Sequence, residues 1–481
     1  MNRRSRRIVL GTLLGVTIGV PLSLAEPSGR MQTRTYGTGT SLVVNGQTTC
    51  AILFPAEPPA WRAMAERLAD GLRALGAVDV PLIPDTEAVP QRLGPIPDAL
   101  AGKSLILLGN VKVNRAFFPL YANYYTYCDM DYPGGDGHVV RTVVRPFGQP
   151  VNYLLAGGST VEGAGIAVER LLGRLGELEP GGDVELPYCL DVGLAPALSR
   201  VLDPIVAELS DDAGVPEEAP YGQARDAFTA RAHLYYYTGH DALAHGARRW
   251  ALALVQREPG PIRISDYHLV NLAAAWRRVS VSPAFSATDR RLIDERILQT
   301  AAEQETAWWR QRDASAGIGT RHQTTGMLGW WSLMRTLQEL GEPDAAAAAY
   351  LAERRRECEA YLDGLLRHYS DDSDDYQSAD SVHNTVSYAL QTGQFEWFHS
   401  GLARRAAERI LAITDNQGTY AGIMGYGEAL PGWERFTLNA GLLLGACDYV
   451  YEDSSFRWLL MRFPPLHRTW GPLHPWRLGL F

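Results

Sequence analysis

The chain has 481 residues, of which 46% are hydrophobic and 21% charged, with a formal net charge of -9. At roughly 100–200 residues per domain this makes two or three folded domains, and the composition is globular rather than disordered. The acidic balance excludes a nucleic-acid partner, which would require a basic face, and any acidic substrate must find a local basic site against the average field.

Residues 1–25 read as a signal peptide. Arg3, Arg4, Arg6 and Arg7 precede an uncharged apolar stretch from Ile8 to Leu24, and Ser23-Leu24-Ala25 offers a small-residue cut site. Ser5-Arg6-Arg7-Ile8-Val9-Leu10 resembles a twin-arginine export signal. An uncleaved anchor is the competing reading, because the run approaches a minimal span; the Gly, Pro and Thr within it favour cleavage. The expectation is a periplasmic or secreted chain with no stable membrane span once the leader is removed. The five cysteines, Cys50, Cys128, Cys189, Cys358 and Cys447, form no CxxC or Cys/His ligand spacing, so no metal and no cofactor are expected. Three of them fall in the first domain, where one disulfide has room to form.

A first domain is expected over residues 31–192. Ser41–Val44 and Cys50–Phe54 read as strands about an Asn45-Gly46 hairpin turn. Residues 58–75 carry Trp61, Met64, Leu68, Leu72 and Leu75 at helical spacing. Val80–Ile83, Ser104–Gly109, Val139–Val144 and Asn152–Ala156 read as further strands, and Gly157-Gly158-Ser159 opens a helix over 160–175. This is a small α+β domain with helices on a mixed sheet. Gly157-Gly158-Ser159-Thr160 lacks the Lys of a P-loop, so a tight turn with a capping hydroxyl is the better reading than a phosphate cradle. The aromatic stretch 117–137 ("FFPLYANYYTYCDMDYPGGDG") reads either as a sugar-stacking loop or as an ordered loop over buried rings. The run "LILLGN" followed by "NYLLAGGSTVEGAGIAVERLL" resembles the small N-terminal domain of family 67 α-glucuronidases and family 20 hexosaminidases, where it accompanies a catalytic domain.

From residue 195 to 481 strand signals give way to helical periodicity. Leu243, Ala247, Trp250 and Leu254 share a stripe in 241–256; Ser286-Ala287-Thr288-Asp289 is a capping-box pattern ahead of a helix over 286–310; residues 343–368 and the segment around Leu402, Ala406 and Ile410 follow. Long helices with short breaks are the grammar of stacked helical hairpins. The predicted architecture is multidomain: a small α+β domain, then an all-α (α/α) toroid with its active site in the breaks at one end.

Four polar clusters sit in those breaks. "ISDYHLVN" holds Asp266, Tyr267, His268 and Asn271. "GIGTRHQTTGMLGWW" holds Arg321, His322, Gln323, Thr324, Thr325, Trp330 and Trp331. "YSDDSDDYQSADSVHNTVSYAL" holds Asp371–Asp375, Tyr376, Asp380, His383, Asn384 and Tyr388. "GIMGYGEALPGWERF" holds Tyr426, Glu428, Trp433 and Arg435. The second and third resemble the heparinase II/III-like and alginate-lyase type of polysaccharide lyase. There, a polar motif opens a toroid helix after a Gly-rich loop, and an acidic loop leads into a helix with Tyr and His. Arg321 stands where that family has Asn. The sequence ends in "PWRLGLF" where such enzymes continue into a β-sandwich, so we expect a reading frame truncated at its C-terminus.

The chemistry of a uronate lyase matches these residue types. The C5 proton becomes removable only when the neighbouring carboxylate is neutralised, then a base takes it and an acid protonates O4. Arg321 with Asn384 serves the neutralising role, His322 or His383 the base and Tyr376 the acid. Asp266, Tyr267, His268, Gln323, Trp330, Tyr388, Tyr426, Glu428 and Trp433 are the expected substrate-binding set, for a polysaccharide or oligosaccharide. Two alternatives stay open. A glycoside hydrolase would use carboxylates such as Asp266, Asp375, Asp380 and Glu428 in pairs across the bond. A non-catalytic glycan-binding protein would use the aromatic clefts alone.

Overall fold

The computed structural model describes residues 30–32, 37–210, 219–256, 260–307, 309–310, 321–367, 376–414 and 441–460; at 267, 321, 376–383, 413, 441 and 460 it describes the backbone alone. The leader read over 1–25, the acidic run 371–375 and the cluster holding Tyr426, Glu428, Trp433 and Arg435 lie outside the described residues.

The Asn45-Gly46 signal is realised. Both residues take positive φ (51° and 73°), as the tight hairpin turn demands, joining β1 (Thr40–Val44) to β2 (Gln47–Thr48) with Val44 opposite Gln47. The second arm differs from the expectation. It is two residues long, and Cys50–Phe54 departs as β3 into another sheet. That sheet has the order β4-β3-β5-β7-β6-β9, with β4 (Leu82–Pro84), β5 (Ser104–Gly109), β6 (His138–Val143), β7 (Tyr153–Gly158) and β9 (Leu190–Gly193). β4, β3, β5 and β7 run parallel, β6 alone runs against them, and β9, antiparallel to β6, returns to their direction. A short strand, β8 (Val184–Leu186), completes the small sheet beside β1.

β3, β5, β6 and β7 are buried at every position, because both faces of the sheet are covered. Alternation sends Cys50, Ile52 and Phe54, with Ile106, Leu108, Leu154 and Ala156, to one face. There they meet α1 (Ala60–Ala74) and α4 (Val161–Leu175) through Trp61, Leu68, Leu72, Ala164 and Val168. Each large side chain buried here is worth about 1.5–3 kcal/mol. The opposite face, with Leu53, Leu105, Leu107 and Tyr153, joins the core of the helical region. The two regions therefore share one continuous hydrophobic interior.

The aromatic stretch 117–137 fills that interior. α2 (Asp85–Ala88) precedes it, and it opens with α3 (Phe117–Ala122). Phe117, Phe118, Tyr121, Tyr125, Tyr127 and Tyr132 are all buried, and Phe118 stacks on Tyr449 at 5.1 Å. The sugar-stacking reading of this loop is thereby corrected: its rings are interior. The Gly157–Thr160 turn behaves as a turn. Thr160 Oγ1 accepts from the Gly163 amide at 3.1 Å and Ser159 Oγ from the Gly134 amide at 2.9 Å. All five cysteines are buried and unpaired, so the disulfide allowed by their count is not formed.

The helical region begins with α5 (Pro196–Ser210), α6 (Tyr221–Thr238) and α7 (Asp241–Gln256), and continues through α8 (Asp266–Val279) and α9 (Ala287–Glu303). The expected capping box forms at the head of α9: Ser286 Oγ accepts from the Asp289 amide and Asp289 accepts from the Ser286 amide. Next come α10 (Arg321–Leu340), α11 (Ala345–Arg367) and α12 (Tyr376–Thr392). The short α13 (Glu396–His399) is followed by α14 (Leu402–Ile413), α15 (Gly441–Tyr451) and α16 (Ser454–Leu460).

Side-chain bonds set the directions. Tyr221 accepts from the Arg263 amide at one end of α6 and α8, and His233 meets Arg278 at the other. Asp266 bonds His322 at the start of α8 and α10, and Arg277 pairs with Glu339 at their ends. Asn384 bonds Thr325, and Gln391 accepts from Arg335. Helices α6, α8, α10 and α12 thus run parallel, with α9 and α11 returning antiparallel beside them. Their C-terminal ends abut the sheet region, through Tyr132 Oη to the Tyr237 carbonyl at 2.8 Å and Tyr124 Oη with Ser387 Oγ at 3.1 Å.

Ahead of β1, residues 30–32 lie against the helical region. Met31 pairs with Pro343 as an isolated antiparallel bridge, the Gln32 amide donates to the Glu342 carbonyl and the Asp344 amide to the Arg30 carbonyl, both at 2.8 Å.

Candidate functional site

The N-terminal ends of α8, α10 and α12 point away from the sheet region, and the sequence-flagged polar residues gather there. Asp266 occupies the first turn of α8 after Ser265, where the partial positive charge of a helix N-terminus favours a carboxylate. It is 3% exposed. His322 stands in the first turn of α10, and its Nδ1 lies 2.8 Å from Asp266 Oδ2. The carboxylate only accepts, so Nδ1–H donates. Asp266 therefore orients the imidazole. The His322 side chain is 29% exposed beside a nearly closed-off carboxylate, leaving the imidazole open to solvent from one side.

Further polar groups on α10 and α12 are bonded to neighbouring helices. Gln323 Oε1 accepts from Tyr361 Oη at 3.2 Å. Asn384 Nδ2 donates to Thr325 Oγ1 at 2.9 Å and its buried Oδ1 has no partner. The reversed amide would let the Thr325 hydroxyl donate instead. His268, two residues past Asp266, is half-buried; burial, with Arg225 close by, lowers its pKa from the ordinary imidazole value.

No family model, no curated protein and no solved structure matches this chain.

Several expected substrate ligands are placed elsewhere. Trp330 has no exposed surface and its Nε1 donates to the Ala301 carbonyl at 2.8 Å; Trp331 is likewise interior, donating to Glu359. Neither stacks on a sugar in this arrangement. Both lie on a helix whose flanks are covered by α8 and α11, so they are core. Tyr388 is 1% exposed, with its hydroxyl on Asp363 Oδ1 at 2.9 Å. Burial and the Asp363 carboxylate push its pKa far up, and it is a structural hydrogen bond rather than a substrate contact. Gln323 and Asn384 are also buried. Asp266, expected as a substrate ligand, is the partner of His322 in this hydrogen bond. The backbone carries Arg321 at the head of α10, Tyr267 on the first turn of α8, and Tyr376 and His383 on the first half of α12.

The sequence reading missed a second polar centre, between the C-terminal ends of these helices and the sheet region. Glu339 on α10 accepts from Arg335 Nε at 2.7 Å and from Tyr125 Oη at 3.1 Å, and pairs with Arg277. Burial alone would raise its carboxyl, but the two guanidiniums outweigh that and hold it at about 2. Beside it, Arg278 donates through Nη1 to His233 Nδ1 and lies over the Tyr127 and Tyr236 rings. Burial lowers His233 to about 4, which leaves its Nδ1 as the acceptor. Adjacent arginines in the last turn of a helix were the available signal, since cations are favoured at that end.

Proposed function

We propose that the protein is a polysaccharide lyase that cleaves a uronic-acid-containing glycan by β-elimination, with His322 as the base and Asp266 as its orienting partner. The observation that carries the reading is the 2.8 Å His322–Asp266 contact at the heads of two parallel helices. In the reaction, His322 Nε2 takes the C5 proton, the electron pair of the broken C5–H bond forms the C4=C5 double bond, and the C4–O4 bond breaks with its pair leaving on O4. An acid then protonates the departing O4, and Tyr376 at the head of α12 fills that role.

The helix directions support the same end of the molecule. The N-termini of α8, α10 and α12 each carry about half a positive charge, and Arg321 opens α10. Together these offset the uronate carboxylate, the condition for making C5–H acidic. The parallel inner helices with antiparallel returns fit an (α/α) toroid whose cleft lies at this end. Asp266, buried and committed to His322, is not free to act in a hydrolytic carboxylate pair, which weighs against the hydrolase alternative.

The test is near-ultraviolet absorbance of the unsaturated product on a panel of alginate, heparan and hyaluronan. We expect absorbance to rise with one polymer, and the rate to fall on the order of 10²–10⁴-fold in His322→Ala. Asp266→Asn, which favours the wrong tautomer, should lose most of the same factor. Release of reducing ends without absorbance would refute elimination.

A further inference from the structure

A cavity lies at the other end of the helix bundle from His322. Arg278 is twelve residues after Asp266 on α8, about 18 Å along the axis. The cavity holds about 40 Å³, and its lining includes Tyr124, Arg141, Tyr188, Tyr236, Arg277 and Arg278. Its lining contains no carboxylate.

Two guanidiniums face it without a counter-charge. Arg141, on β6, is 3% exposed; it donates through Nη2 to the Tyr236 carbonyl and lies 3.4 Å over the Tyr236 ring. Its Nε and Nη1 have no partner. Arg278 is 4% exposed, contacts His233 through Nη1, and has no partner at Nε and Nη2. Neither is in an ion pair among the described residues, whereas the neighbouring Arg277 is neutralised by Glu339. The Tyr236 hydroxyl is buried and unpartnered as well. Helix C-terminal carbonyls supply only about half a negative charge per helix. Burying an ion without compensation costs several kcal/mol, and each buried donor left unmade adds to it. Tyr124 lines the same cavity with φ of 60°, a left-handed conformation that is uncommon outside glycine and collects at functional sites.

We propose that this cleft binds a small oxyanion, a phosphate, a sulfate or a carboxylate group, gripped by Arg278 and Arg141. The unpartnered Nε and Nη2 of Arg278 form the side-on fork that matches two oxygens of one anion. Arg141 and the Tyr236 hydroxyl supply further donors. At 10–15 Å³ per water-sized site, the cavity admits about three waters, the room of one oxyanion head group and not of a sugar ring. The proposal does not depend on the lyase reading, because binding is read without turnover.

The experiment is calorimetric titration of the full-length protein with inorganic phosphate, inorganic sulfate and D-glucuronate, with chloride balancing the ionic strength. We expect saturable one-to-one binding of at least one probe. Binding by the inorganic ions alone assigns a free oxyanion, and binding by glucuronate assigns a sugar carboxylate entering from outside; both support the site. Arg278→Met should weaken binding at least tenfold, and its melting temperature in chloride should hold or rise as the uncompensated charge goes. Arg278→Lys, which keeps the charge and loses the fork, should weaken it less. Tyr236→Phe removes one donor at no cost in packing, so it covers the case in which the arginine variants do not fold, with weaker binding expected. Absence of saturable binding for all three probes would overturn the proposal, as would affinity unchanged in Arg278→Met or, if that variant does not fold, in Tyr236→Phe.

Discussion

Replacing Glu339 by Gln keeps the shape of the side chain and removes the one negative charge between Arg277 and Arg335. The carboxyl is held at about 2 against an ordinary 4.5. At 1.36 kcal/mol per pH unit, that difference is worth about 3 kcal/mol of folding stability at neutral pH. The side chain is only 9% exposed, so solvent screening removes little of this, and loss of one partner of a buried pair costs a similar 3–5 kcal/mol. A folded value below the unfolded one gives stability that is complete above pH 4.5 and lost as the pH falls toward 2. Urea unfolding, which adds no screening ions, followed by tryptophan fluorescence and far-ultraviolet dichroism, should therefore show Glu339→Gln about 3 kcal/mol below wild type at pH 7. The gap should narrow steadily between pH 4.5 and 3. Tyr125 belongs to the sheet region and bonds Glu339 across the shared core, so the two optical probes should also cease to coincide in the variant. A gap under about 1 kcal/mol at pH 7, or one that does not change with pH, would refute the reasoning.

His233 is held at about 4 by burial, so the unfolded chain binds a proton below pH 6.5 that the folded chain refuses. Stability should fall by about 3 kcal/mol from this group between pH 6.5 and 4; His233→Gln, which keeps an acceptor for Arg278, should flatten that slope in urea midpoints. At Gly157 in β7, an added Cβ would lie 2.7 Å from Cys128 Sγ and 2.8 Å from the Gly109 carbonyl. Gly157→Ala should cost about 1–3 kcal/mol, whereas Gly173→Ala on α4, with open space around it, should be neutral or stabilising by up to about 1 kcal/mol; thermal melts of the two variants separate them.

Local signals were the readable ones. Asn45-Gly46, the Ser286–Asp289 box, β5 and α7 are written in two to sixteen consecutive residues, and the structure places them where the sequence does. β8 and β9 were missed because three- and four-residue edge strands carry no periodicity to detect. The aromatic stretch 117–137 was ambiguous for a different reason. Whether a ring is wet or dry depends on what covers the sheet, and the uninterrupted apolar runs of β3 and β5 were the hint that both faces are covered. Trp330 and Tyr388 were misplaced for the same cause: a helix with neighbours on two flanks buries side chains that an amphipathic pattern would expose. The Asp266–His322 contact spans 56 residues; sequence flagged both members and gave no means of joining them. Arg141 and Arg278 were not flagged at all, since an unpaired buried cation is defined by what surrounds it in space.

The strap formed by residues 30–32 reverses the usual order of assembly. The strands it leads into are synthesised early, yet its partners at Glu342, Pro343 and Asp344 emerge from the ribosome some three hundred residues later, on the order of tens of seconds at ordinary elongation rates. The sheet region must therefore wait, its apolar second face uncovered and its leading segment untied, until α10 arrives. The same threading means that a single cut between β9 and α5 would not release the first region from the second: the chain would still be fastened at its opposite end, and the nicked protein should hold together as one body.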